Sequence, residues 1–127
     1  MNLKTLITTS VLAALTLASI SARAADVQVT CEKRANRSRA SVDGNNLNRG
    51  SYRAVLKSGD RTARSPLAQT IGDEVEFDFD SNQNDIADGA TAIPANFIVN
   101  GRVKGWIVNA NGVRVTPIKE AICRVRN

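Results

Sequence analysis

The chain has 127 residues, of which 17 are Lys or Arg, 12 are Asp or Glu, two are Cys and none is His. The length fits one small domain. Without imidazole, the Ser-His-Asp and Cys-His arrangements and the usual catalytic zinc ligand sets are excluded.

Residues 1–24 read as a signal peptide. Lys4 gives the positive start, and Leu6 to Ile20 is an apolar run diluted by Thr8, Thr9, Ser10, Thr16 and Ser19. Ala22-Arg23-Ala24 places small residues at the two positions a signal peptidase reads, so cleavage is expected after Ala24. Cleavage after Ala25 would put Arg23 at one of those positions. The apolar run falls short of the roughly 18 to 20 residues a membrane span needs. The domain, 25–127, would then carry 15 basic and 12 acidic residues, a net charge of +3, and would be exported, periplasmic or extracellular.

Val27, Val29 and Cys31 alternate with Gln28, Thr30 and Glu32, which predicts a half-buried strand. The basic run Lys33, Arg34, Arg37 and Arg39 breaks that period. Ser38 to Val42 fits a short strand with Ala40 and Val42 inward, and Asp43-Gly44-Asn45-Asn46 is turn chemistry. In Leu47 to Lys57, Tyr52, Ala54 and Leu56 share the inner face, with Arg53, Val55 and Lys57 opposite. Arg61 to Pro66 reads as an exposed connection and Leu67 to Ile71 as a short edge strand.

Gly72 to Gly89 holds seven of the twelve acids, and no Lys or Arg occurs between Arg64 and Arg102. Val75, Phe77 and Phe79 alternate with Glu74, Glu76, Asp78 and Asp80, predicting a core side and a wet side. Ser81 to Gly89 has no period and reads as a loop, and Pro94 argues against a central strand over Ala90 to Pro94. Asn100-Gly101 between Phe97 to Val99 and Arg102 to Asn109 is the strongest hairpin signal. Val103 and Ile107 lie on one face of that strand and Trp106 on the other. Asn109 to Gly112 makes a second hairpin into Val113 to Thr116. The final strand is Ala121 to Arg126, with Ala121, Cys123 and Val125 inward and Arg124 and Arg126 outward.

About eight short strands and no helix predict an all-β chain, a single antiparallel β-sandwich domain in preference to a barrel. Cys31 and Cys123, an even pair in an exported chain, are expected to form a disulfide clasping the first strand to the last. A loop of that length contributes about 4 to 5 kcal/mol on the chain-entropy model, less any strain.

The segment Asn46-Leu47-Asn48-Arg49-Gly50-Ser51-Tyr52 resembles the L-x-x-G-x-Y opening of a strand in secreted immunoglobulin-like and transthyretin-like sandwich domains. Gly105-Trp106-Ile107-Val108-Asn109-Ala110-Asn111-Gly112 resembles their strand-turn-Gly hairpins, in the reverse of the order usual for transthyretin-like modules. More broadly the chain resembles small exported bacterial β-sandwich proteins of unassigned activity. The resemblance implies a fold class and no reaction.

Two charged regions are candidate sites. Asp80-Ser81-Asn82-Gln83-Asn84 follows the first ligand positions of a D-x-[DN]-x-[DN] calcium loop. Asp85 stands where that loop needs Gly, and Thr91 where it needs a bidentate Glu. A non-standard calcium site would use Asp78, Asp80, Asn82, Asp85 and Asp88, while the plainer reading is a solvated turn rich in Asp and Asn. The second region is a basic patch for an anionic partner, formed by Lys33, Arg34, Arg37, Arg39, Arg124 and Arg126 once the disulfide brings the chain ends together. Its partner would be an anionic envelope component or another protein; no aromatics interleave with these cations, so nucleic acid is not expected. The two regions could also pair with each other, within or between molecules.

Glu74, Glu76, Asp78 and Asp80 share one solvated face, a poor setting for carboxylate-pair hydrolysis. The expected function is therefore that of an exported, non-enzymatic binding or adhesion module acting through charged surfaces, with calcium as the one candidate cofactor. The alternative is a structural or envelope-stress accessory protein with no small ligand.

Overall fold

The computed structural model describes residues 24–127, so the expected signal peptide, apart from Ala24, lies outside the described residues. Those residues form β1 (Asp26–Arg34), β2 (Arg37–Asn45), β3 (Ser51–Ser58), β4 (Arg61–Arg64), β5 (Ala68–Gln69), β6 (Val75–Asp80), α1 (Gln83–Ala87), β7 (Thr91–Ala92), β8 (Arg102–Asn109), β9 (Lys119–Ile122) and β10 (Arg124–Arg126). The strands make two sheets. Sheet I runs β10-β1-β2-β6-β7, and sheet II runs β4-β3-β8-β9 with β5 also paired to β3.

Period-two alternation carries the core. Val27, Val42 and Phe79 of sheet I and Ala54, Leu56, Val103 and Ile107 of sheet II are buried in one hydrophobic cluster. A Cβ on Gly105 would lie 2.8 Å from Val29 Cγ2 and 3.1 Å from Val42 Cγ2, so this glycine lets β8 approach sheet I closely. Gly44 has the same role, since its Cβ would lie 2.9 Å from Leu47 Cδ1 and 3.1 Å from Ile107 Cγ1.

That second glycine corrects the sequence reading. Asp43, Gly44 and Asn45 are not a turn; they continue β2, with Gly44 paired to Val27 and Val75. The basic run likewise does not end a strand. Arg34 pairs with Arg37 around a tight turn at Ala35 and Asn36, so the cations stand on a hairpin. Arg61–Arg64 is a strand, β4, rather than a connection, and Ser81 to Gly89 contains α1. The helix starts because Asn82 caps it: its side chain accepts from the Asn84 and Asp85 backbone N–H groups.

Sheet I is mixed rather than antiparallel. β6 and β7 pair in parallel on either side of α1, and β1 and β10 pair in parallel. The last strand is split at Cys123, where the chain leaves β9 in sheet II and enters sheet I as β10. The split turns Val125 out to 64 % exposure, against the inward side expected for it. Cys31 and Cys123 form the expected disulfide, with Cα atoms 4.6 Å apart. Asn100 and Gly101 take positive φ angles of 56° and 64°, as the hairpin signal requires. Phe97 and Ile98 are buried ahead of that turn but form no strand; Val99 and Arg102 make an isolated bridge.

Candidate functional site

The outward positions of β1, β2, β6 and β10 put charge on the exposed face of sheet I. Glu32 faces Arg124 in register, Arg39 faces Asp80, and Asp43 faces Glu76. The charges largely satisfy one another. Arg37 donates from Nε and Nη2 to Asp80 at 2.9 and 2.6 Å, and from Nη2 to Asp85 at 2.8 Å. Asp80 is 3 % exposed, not on the wet side predicted for it. Burial pushes its carboxyl up, but the Arg37 guanidinium and the Asn82 N–H outweigh that and hold it below the usual carboxylate range. Glu32 lies 2.8 Å from Arg34 Nε and 3.6 Å from Arg126 Nε, and these arginines, Arg34 first, keep it below its ordinary value.

Asp43 has no such cation. Burial, and then the neighbouring carboxylates Glu76 and Asp78, push it up to about 6. Asp78 is itself tied to the Ser41 hydroxyl, which donates to it at 2.8 Å.

Four of the five expected calcium ligands, Asp78, Asp80, Asp85 and Asp88, line one groove of about 330 Å³ beside Arg39. Several of the expected ligand oxygens are engaged within the fold. Arg37 holds Asp80 and Asp85, Asn82 Oδ1 caps α1, and Asp80 Oδ1 accepts from the Asn82 N–H at 2.9 Å. Asp88 is the C-cap of α1, its own N–H donating to Asn84 O. Among the described residues, no group of three or more His, Cys, Asp or Glu is arranged to hold a metal ion. The Arg37 bonds to Asp80 and Asp85 fasten α1 to sheet I.

The expected basic patch comes together in part. Arg124 and Arg39 line a dip of about 290 Å³ with Glu32 and Ser41. Arg37 is drawn off by Asp80 and Asp85, and Arg34 and Arg126 by Glu32. Lys33 points elsewhere and donates to the Arg34 and Ala35 carbonyls.

Sheet II carries a surface the sequence reading did not single out. Tyr52, Ala54, Leu56, Val103 and Ile107 face the core, so Arg53, Val55 and Lys57 of β3 and Arg102, Lys104, Trp106 and Val108 of β8 face outward. Register adds Arg64 beside Val55, Glu120 beside Lys104, Ile122 beside Arg102, and Arg114 beside Val108. Six cations, Arg53, Lys57, Arg64, Arg102, Lys104 and Arg114, thus share the face with one carboxylate, Glu120, which lies 3.3 Å from Arg102 Nη1. Lys57 and Lys104 are directly opposite each other, a repulsive cross-strand pair. Neither makes an ion pair among the described residues.

Trp106 stands in the middle of this face, half-buried, across from Val55. Val55 and Val108 are only 3 % and 6 % exposed although they lie on the side away from the core. Long side chains flank both in register, Trp106 and Arg64 beside Val55 and Arg53 and Arg114 beside Val108, and such stems can shield apolar surface. A groove of about 510 Å³ runs over the face, lined by Lys57, Lys104, Trp106, Ile118 and Glu120 among others. The signal in the sequence was the alternation Arg102, Lys104, Trp106 in one strand and Arg53, Lys57 in another. Only the pairing of those strands shows that the two series adjoin.

Compared with protein-family models, with curated proteins and with solved structures, the chain gives no match.

Proposed function

We propose that the protein is an exported, non-enzymatic binding module, a disulfide-closed β-sandwich that takes an anionic partner on the outer face of sheet II. The observation that carries this reading is the facing pair Lys57 and Lys104 beside Trp106, with no carboxylate of the described residues bonded to either. Like charges directly opposite on a sheet cost stability, and a fold has no structural use for them. An anionic partner would turn that cost into attraction. The sheet I cations are a weaker candidate, because Arg34, Arg37 and Arg126 already have carboxylates. The targeting segment and the disulfide support export.

The test is retention on immobilised heparin, a generic polyanion. The wild type should be held and then released by salt, and the variant K57E/K104E should pass through at the loading salt. The control R39E/R124E, on sheet I, should elute close to wild type. Equal retention of wild type and K57E/K104E would sink the assignment to sheet II.

A further inference from the structure

We propose that the partner on this face is the surface of a bilayer rich in anionic phospholipid. The inference rests on the reading that the outer face of sheet II is the binding surface, and adds what that surface meets. Three features carry it. The cations are spread over a sheet face built from β3, β8 and β9 instead of converging on one point, which suits a plane of phosphates more than a single compact anion. The rim is aliphatic: β9 is the edge strand of sheet II, Ile122 at its end is 78 % exposed, and Ile118, just before it and lining the groove beside Trp106, is 49 % exposed. Edge strands are ordinarily guarded by charge, so exposed isoleucines flanked by Arg102 and Lys104 need another explanation. Trp106 completes the set, because an indole with one covered side and one open side is suited to the headgroup layer.

A soluble anionic glycan fits less well. A chain seated in the groove would reach Trp106, Lys57 and Lys104, yet Ile122 does not line that groove and would gain nothing. A planar surface covers the groove and its aliphatic rim together. Glu120 is the one group on the face that a phosphate layer would repel, and Arg102 already neutralises it. On docking, Lys57 and Lys104 meet phosphate oxygens while Ile118, Ile122 and the Trp106 ring enter the boundary between headgroups and acyl chains. No residue is required to cross the hydrocarbon.

Trp106 is the only tryptophan in the chain, so its fluorescence reports this face alone. Vesicles of phosphatidylcholine with about one third phosphatidylglycerol should shift its emission to the blue, and brominated acyl chains should quench it. Pure phosphatidylcholine vesicles should do neither. In vesicle sedimentation, K57E/K104E should lower the partition coefficient by about tenfold or more at low salt, since each basic residue near an anionic surface is worth about a factor of five. I118S/I122S should lower it severalfold and abolish the bromolipid quenching. Both isoleucines are exposed, so this variant should keep the wild-type melting temperature. Retention on heparin that needs Lys57 and Lys104, with no vesicle binding, would overturn the lipid assignment and leave the anion-binding face standing. Vesicle binding without a change in Trp106 emission would overturn it too, because another face would then be in contact. Absence of binding to both vesicles and heparin would overturn both readings.

Discussion

On the outer face of sheet I, Arg37 is held by Asp80 and Asp85, and Glu32 by Arg34 and Arg126; on the outer face of sheet II, Lys57 stands opposite Lys104 with no acid bonded to either. Both faces are strongly charged, yet charge has different work in each. The Arg37 ion pairs cross from the β1–β2 hairpin to β6 and α1, and so fasten elements separated by more than forty residues, while Arg126 ties β10 to Glu32 of β1. On sheet II, Arg102 ties β8 to Glu120 of β9, but Lys57 and Lys104 make no ion pair among the described residues. Charge density alone therefore does not distinguish the two faces; what sets the sheet II face apart is a like-charged pair beside exposed apolar side chains, the feature on which the proposed binding role rests.

The comparison breaks most sharply at Arg37. Arg37→Ala leaves the Asp80 carboxylate buried and unpaired, and should cost about 3 kcal/mol in urea denaturation at pH 7. The Asp80 pKa is depressed in the fold, so the bridge contributes above the ordinary carboxylate value and is lost as pH falls through the depressed one. The variant's deficit should accordingly shrink in strong acid. A loss under about 0.5 kcal/mol at pH 7 would show that sheet I charge is decorative.

Asp43→Asn should have a smaller effect of opposite sign. With its folded pKa raised to about 6, Asp43 binds a proton in the native state that the unfolded chain binds only near 3.8. Wild-type stability should therefore gain from this group as pH falls from 7 through 6 toward 4. The variant should be more stable than wild type by about 1 kcal/mol at pH 7, the half-exposed carboxylate being partly screened by water, with the gap closing by pH 4. Thermal melts of both proteins at pH 7 and pH 4 check the sign.

Lys104→Ala should change stability least, within about 0.5 kcal/mol and toward stabilisation, because it relieves the repulsion with Lys57. A destabilisation above about 1 kcal/mol would give sheet II cations a structural role and erase the contrast between the faces.

Much of the fold was legible because burial on one side of a strand imposes a period of two. Val75, Phe77 and Phe79, and likewise Tyr52, Ala54 and Leu56, are core as their alternation indicates. What was not legible depends on residues far away in the chain. Gly44 carries no period and resembles a turn residue in sequence, whereas it is needed where Val75 and Ile107, from distant parts of the chain, close in on it beside Leu47. The partner of the acidic stretch was not legible either, because a sequence lists carboxylates without their partners, and the cation that engages Asp80 and Asp85 is 43 and 48 residues away.

By itself, the sequence determined the β class, the inward and outward sides of the main strands, the Asn100-Gly101 turn and the pairing of Cys31 with Cys123. Each depends on local alternation, on the backbone freedom of single residues, or on there being just two cysteines. The tertiary structure alone decided the parallel pairing of β10 with β1, the locking of the acidic loop by Arg37, and the meeting of Lys57, Lys104 and Trp106 on one face. Strand register sets these last relations, and register follows from how two whole sheets bury one core, which no short window of residues contains.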